Sequence, residues 1–275
     1  MRVTVNQIKG MKQRGEKITM LTAYDYATAR IIDEVGVPLI LVGDSLGMVV
    51  LGYESTIPVT MDEMVHHTKA VVRGTKRALV VGDMPFMTYH VSVSDALRKA
   101  ARFIQEAGAQ AIKLEGGVAV ADTVSRIVDC GIPVIGHIGL TPQSINQLGG
   151  YKVQGKTPES ARKLVEDARA LEEAGVFAIT LEVVPAPLAT LITRKVSVPV
   201  IGIGAGAGCD GQVQVISDIL GLSDSCCFKH AKQYARLAGV IRAAVSEYDN
   251  EVKDGSFPTD EQGFSMDESL LAELK

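Results

Sequence analysis

Tryptophan is absent from the 275-residue chain and aromatic residues make up only 5% of it. Such a chain has little material for base-stacking surfaces. Basic charge is also short: 28 Lys and Arg face 32 Asp and Glu, a formal net charge of -4. No broad basic field is available to neutralise a phosphate backbone, which argues against nucleic acid as a main partner. The four cysteines, Cys130, Cys209, Cys226 and Cys227, form no CxxC spacing, and the adjacent pair is poorly placed to bridge. A reduced, cytoplasmic protein is expected. No apolar run of about 18 residues occurs, so no membrane-spanning helix is expected. The opening MRVTVNQIKGMKQRGEK has no signal-peptide apolar core.

What is present is 47% hydrophobic residues and 22% charged ones, the balance of an ordinary globular protein. Short apolar runs alternate with amphipathic stretches. ITMLTA (18–23), LILVGD (39–44), ALVVGD (78–83), AIKLEG (111–116), IPVIGHIG (132–139), FAITLE (177–182) and VPVIGIG (198–204) read as strands. SCCFK (225–229) is the eighth candidate, ahead of a long helix at about 229–249. Helices are expected near 26–35, 61–75, 94–108 with Ser94 as N-cap, 118–130, 158–175 with Thr157 as N-cap, and 187–195. Continuously apolar strands suit a parallel sheet buried on both faces. Repeats of about 30 residues favour a (β/α)8 TIM barrel over an open sheet. No linker divides the chain, so residues 1–275 read as one domain. An added N-terminal helix covers about 5–14, and 251–275 form a loosely attached tail.

In a parallel barrel, chemistry belongs at the C-terminal strand ends. Acids recur there: Asp44, Asp83, Glu115 and Glu182. One such acid can be a helix cap, but four on four strands are harder to assign to capping. Asp44, Asp83 and Glu115 are hard oxygen donors suited to Mg²⁺, and no His/Cys cluster supports zinc. Lys113 lies two residues before Glu115, on the same side of a strand, where it meets a substrate carboxylate, forms a Schiff base, or pairs with a neighbouring acid. His137 falls in or just after the fifth strand, either as a core histidine or as an auxiliary group in the site. His66 and His67 read as solvated or interhelical. His90 follows PFMTYH, a loop that would cover the site, and Cys130 reads as a packed apolar residue. A literal GxGxxG at Gly206, Gly208 and Gly211, with Asp224 beyond it, raises a dinucleotide reading. A tight barrel loop is preferred because six strands already precede it.

Longer motifs carry more. VGDSLGMVVLGYESTIPVTMDEMVHHTKAV, DMPFMTY, IKLEGG, GHIGLTPQSINQLGGYKVQGKT, LEVVPAPLA and PVIGIGAGAGCDGQVQV closely resemble the ketopantoate (3-methyl-2-oxobutanoate) hydroxymethyltransferase family, in order, over about residues 3–250. The resemblance implies a (β/α)8 barrel of the phosphoenolpyruvate/pyruvate superfamily. It implies hydroxymethyl transfer from 5,10-methylenetetrahydrofolate to 3-methyl-2-oxobutanoate, giving 2-dehydropantoate and tetrahydrofolate in pantothenate biosynthesis. It implies Mg²⁺ held by Asp44 and Asp83, with Glu115 at the metal directly or through water. Ser45 and Lys113, with Asp44 and Asp83, would contact the ketoacid, and Glu182 would be the general base. A cytoplasmic homodecamer is the family's usual assembly. Two positions depart from the family pattern. Gly82 replaces the usual Ala before the second aspartate, and CCFKHAKQY stands where a PKFVK-like stretch is usual. Two other readings are a Mg²⁺-dependent C–C lyase of the isocitrate or methylisocitrate lyase type, whose KKCGH-like cysteine loop is missing, and a non-catalytic barrel acting as an assembly partner.

Overall fold

The structure is a computed structural model that describes residues 1–222 and 228–274. Asp224, Cys226, Cys227 and most of the expected 225–229 strand lie outside the described residues. Eight parallel strands close into a barrel in the order β1 to β8. They are β1 (Ile18–Thr22), β2 (Leu39–Val42), β3 (Leu79–Asp83), β4 (Ala111–Glu115), β5 (Val134–Gly139), β6 (Ala178–Glu182), β7 (Val200–Ile203) and β8 (Gly211–Gln214). The helices are α1 (Val5–Gln13), α2 (Tyr26–Val35), α3 (Leu46–Val49), α4 (Met61–Gly74), α5 (Val93–Gln105), α6 (Ala121–Asp129), α7 (Ile145–Leu148), α8 (Pro158–Glu173), α9 (Ala186–Lys195), α10 (Ile216–Leu220) and α11 (Leu237–Asp254). The barrel expectation therefore holds, as does the added N-terminal helix.

The eighth strand is a correction. It comes from the glycine run, Gly211–Gln214, and not from SCCFK, and it pairs with β7 on one side and β1 on the other. Its residues are alternately buried and less buried, so it carries no continuous apolar run. Gly211 is glycine because any Cβ there would collide with the Ile18 backbone of β1. The GxGxxG glycines thus lead into a strand, and the helix that a dinucleotide fold requires is missing. The last long helix starts at Leu237, not 229, and His230 lies in a turn before it.

Local signals explain the other boundaries. Thr60 and Thr157 cap α4 and α8 through reciprocal capping boxes, and Gly36 ends α2 in the left-handed conformation. For α5 the cap is Ser92, not Ser94: its side chain accepts from the Asp95 N–H. Asp33 sits at the end of α2 and accepts from the backbone N–H groups of Lys76, Arg77 and Ala78. That bond set ties α2 to the chain entering β3.

The chain divides into two compact units. The first is the barrel. The inward face of its strands follows a period of two, and its lower layers are apolar: Met20, Leu41, Val81, Ile135, Ala178 and Val213 among others, with Ile8 of α1 closing the N-terminal end. One layer higher, toward the C-terminal strand ends, the same face turns polar. The second unit contains α11 and the segment that follows it, and α11 buries none of its own residues. Among the described residues no helix is long and apolar enough to cross a membrane.

Candidate active site

The polar layer gathers all the expected site residues at the C-terminal mouth. Asp83 closes β3, Lys113 and Glu115 occupy β4, His137 sits inside β5, and Glu182 closes β6. Their spacing along β4, β5 and β6 is the strand period that points Lys113, Glu115, His137 and Glu182 inward. Asp44 and Ser45 lie in the turn after β2, and the Asp44 backbone N–H donates to Asp83 Oδ2 at 3.3 Å. Ser45 is half-buried, with Oγ 2.9 Å from the Tyr24 hydroxyl.

Charges are paired across strands. Lys113 Nζ donates to both Asp83 oxygens, at 2.7 and 2.6 Å. Burial lowers the lysine pKa, but Asp83, Asp44 and Glu115 outweigh it and hold the ammonium charged above its ordinary range. The close ion pair with Asp83 favours the pairing reading of Lys113 over the Schiff-base one. Burial raises the Asp83 carboxyl even against Lys113. Burial and the nearby Glu115 push Asp44 up to about 6. His137 bridges two acids: Nδ1 is 3.3 Å from Glu115 Oε1, and Nε2 is 3.2 Å from Glu182 Oε2. Neither contact has hydrogen-bond geometry, and Glu115 Oε1 is a buried oxygen without a hydrogen bond. Burial and Lys113 would lower the imidazole pKa, yet Glu115 and Glu182 raise it to about 9. The two glutamates thus favour the protonated form of His137.

Accessibility separates the acids. The side chains of Asp83 and Glu115 are 2% and 3% exposed, whereas that of Glu182 is 18% exposed. Backbone shape helps set Glu182. Gly139, opposite it on β5, has φ +98, and any Cβ there would run into the Glu182 backbone. Val183, next in sequence, has φ +48, a strained conformation for a β-branched residue, held by bonds to Ile203 and Gln154.

Some polar positions were missed by the sequence reading. Gln143, buried in the loop after β5, donates through Nε2 to Asp44 Oδ2 and through its backbone N–H to Glu115 Oε2. In the PFMTYH loop Tyr89 is buried and bonded to the site, while His90 is exposed. Outside the site, His66 is exposed, His67 Nδ1 lies 2.7 Å from the Tyr24 carbonyl, and Cys130 is exposed rather than packed.

Among the described residues no three His, Cys, Asp or Glu side chains form a ready metal cage. Yet four carboxylates face only Lys113 and His137 as cations, so the mouth carries excess negative charge in a buried setting. That imbalance, the hard oxygen donors and the unbonded Glu115 oxygen fit a divalent cation that takes few carboxylates and keeps other ligands for water or substrate.

Fold and mouth together define a TIM-barrel enzyme with an acid-rich site at the C-terminal strand ends. The comparisons give the family. The model of the ketopantoate hydroxymethyltransferase family matches residues 2–260. A 3-methyl-2-oxobutanoate hydroxymethyltransferase of Dehalococcoides mccartyi is 64% identical over 275 residues, covering 100% of this chain and 99% of the relative. Its counterpart in Syntrophus aciditrophicus is 59% identical over 263 residues, covering 96% and 97%. The chain belongs to the ketopantoate hydroxymethyltransferase family, and its reaction is hydroxymethyl transfer to 3-methyl-2-oxobutanoate in pantothenate biosynthesis. Solved structures agree on the fold. A phosphoenolpyruvate phosphomutase from Streptomyces platensis subsp. rosaceus superposes with TM-score 0.61 at 15% identity, covering 98% of this chain and 94% of that one. A 2,3-dimethylmalate lyase of the PEP mutase/isocitrate lyase superfamily gives 0.58 at 16%, covering 100% and 95%. The lyase and assembly-partner readings are thereby set aside.

Proposed function

We propose that Glu182 is the general base of this reaction and that Asp44, Asp83, Glu115, Lys113 and Ser45 bind the ketoacid and a Mg²⁺ ion, with 5,10-methylenetetrahydrofolate as the one-carbon donor. The observation that carries the reading is the unequal exposure of the acids: Glu182 is the accessible carboxylate above a buried, charged floor. Asp44 and Asp83 would hold the cation, with Glu115 as a further acid. A bound Mg²⁺ supplies positive charge where negative charge develops on the substrate oxygens.

The chain's own groups do the rest. Lys113 places an ammonium beside Asp83 and favours an anionic substrate. Glu182 takes the C3 proton of the ketoacid on the oxygen not facing His137. His137 Nε2 lies 3.2 Å from the other oxygen and attracts it electrostatically, acting as an auxiliary group. The resulting carbon nucleophile forms a C–C bond to the donor's methylene carbon as one of its two C–N bonds breaks and the freed nitrogen takes a proton; a water then displaces the second nitrogen, supplying the product hydroxyl and releasing tetrahydrofolate. Exposed apolar side chains Val50, Met87 and Tyr151, on loops after β2, β3 and β5, offer an apolar surface that suits a folate ring. Free Cys130 and Cys209 are consistent with the cytoplasm, and exposed Ile31 and Val35 on α2 with a homo-oligomer, decameric by family resemblance. The working unit is read as one barrel domain with an appended C-terminal tail.

Calorimetry tests the binding half of this reading. Asp44→Ala combined with Asp83→Ala should abolish Mg²⁺-dependent ketoacid binding. Unchanged binding would remove both aspartates from the metal site.

A further inference from the structure

Among the buried polar side chains that the mechanism leaves unused are Tyr89 and Gln143, which reach the acids of the mouth. They come from different loops, after β3 and after β5, and they meet at 2.6 Å. Their hydrogen bonds have a direction forced from both ends. The Glu115 backbone N–H can only donate, and it reaches the Tyr89 hydroxyl oxygen at 3.2 Å. The hydroxyl proton is therefore free to go to Gln143 Oε1. At the other end of the amide, the Met84 carbonyl can only accept, and it takes one Nε2 proton at 2.9 Å. The second Nε2 proton goes to Asp44 Oδ2, also at 2.9 Å. The amide cannot flip: turned round, it would face a carbonyl and a carboxylate with an oxygen and leave the tyrosine proton unaccepted.

We infer that Tyr89 and Gln143 are positioning residues that lock the Asp44 carboxylate through one of its oxygens and tie it to Glu115, so that the metal-binding acids keep one fixed arrangement. Gln143 serves both acids at once, through its side chain to Asp44 and its backbone N–H to Glu115 at 3.0 Å. The amide group is polarised along the chain from Tyr89, and the bond to Asp44 is charge-assisted. All these atoms are buried, so water does not compete for them. A purely structural network would have no need to end on a carboxylate of the binding mouth.

The inference rests on the Mg²⁺ reading above, and its test separates the two. The probe is Mg²⁺ alone, titrated by calorimetry into the unsubstituted chain and into Tyr89→Phe and Gln143→Met. Each variant removes the directed bonds while keeping side-chain volume nearly constant. Losing such outer partners costs roughly 10–100-fold in metal affinity, and that loss is expected in both variants. Both variants should still unfold cooperatively without metal, with midpoints lowered by no more than the cost of leaving buried groups unpaired. Tyr89→Phe changes no atom that touches Asp44, so its loss of affinity comes through the two groups the hydroxyl holds, the Gln143 amide and the Glu115 backbone N–H. It also carries the test should Gln143→Met fold poorly. Mg²⁺ affinity equal to the unsubstituted chain in Tyr89→Phe would overturn the inference. Failure of the unsubstituted chain to bind Mg²⁺ would overturn the metal reading and this inference with it.

Discussion

Gly82→Ala adds one methyl group, yet it should be costly. The residue precedes Asp83 on β3, and its Cα faces the α5 side of the barrel wall. A Cβ built there would lie 2.6 Å from Phe103 Cε1 and 2.9 Å from Cγ. Phe103 Cδ1 is closer still, and since carbon atoms prefer about 3.5–4.0 Å the ring would have to retreat by more than about 1 Å. Phe103 is completely buried on the inner face of α5. Overpacking of this kind costs about 1–3 kcal/mol. Phe103→Leu alone should also destabilise, by about 1–2 kcal/mol, through the cavity it leaves. The two changes should compensate, because the smaller side chain makes room for the new methyl. Urea unfolding of the two single variants and the double variant measures this as a coupling energy. The expected coupling is about 1–2 kcal/mol, within the range for touching residues. Additivity, or a neutral Gly82→Ala, would refute the packing argument and with it the reason offered for glycine at this position.

Two further outcomes follow from the same geometry. Asp33 is held below the usual carboxylate range: burial raises its pKa, but the N–H groups of Ala78, Lys76 and Arg77 outweigh that. Its ionised form therefore stabilises the fold above pH ~4, and the stabilisation is lost as pH falls through the lowered folded-state value. Asp33→Asn should cost about 1–3 kcal/mol at pH 7, and the gap from the unsubstituted chain should shrink in denaturant titrations at acid pH; a gap that widens there would contradict it. At Gly139, both the positive φ and the approach to the Glu182 backbone forbid a side chain. Gly139→Ala should lower kcat by more than about tenfold, since about 1 Å of misplacement can cost 10²-fold; unchanged kcat would show that Glu182 is not held from this side.

Much of this was legible from residue order. Seven strands announced themselves as apolar runs, six of them ending in glycine or an acid, because a barrel buries both faces of each strand and puts polar groups at the rim. Period two then predicted that Lys113 and Glu115 share a face, and they do. β8 escaped notice because Gln212 and Gln214 are not fully buried, so its sequence alternates with polar residues and hides within a glycine run. Ser92 lost to Ser94 by eye, although Asp95 three residues on from Ser92 is the better capping signal. The role of Gln143 was invisible: a glutamine in a TPQS loop looks like any surface turn until the fold brings Tyr89 and Asp44 to it. The charge of His137 was equally hidden, because it depends on two glutamates from neighbouring strands.

The account's central claim is that Glu182 removes the C3 proton of the ketoacid. Proton exchange at C3 in deuterated water, followed by NMR without the one-carbon donor, reads that step alone. Glu182→Gln should still bind Mg²⁺ and 3-methyl-2-oxobutanoate but lose exchange by about 100-fold or more, the contribution expected of a positioned base. Exchange at the unsubstituted rate in a variant that still binds the ketoacid would contradict the claim.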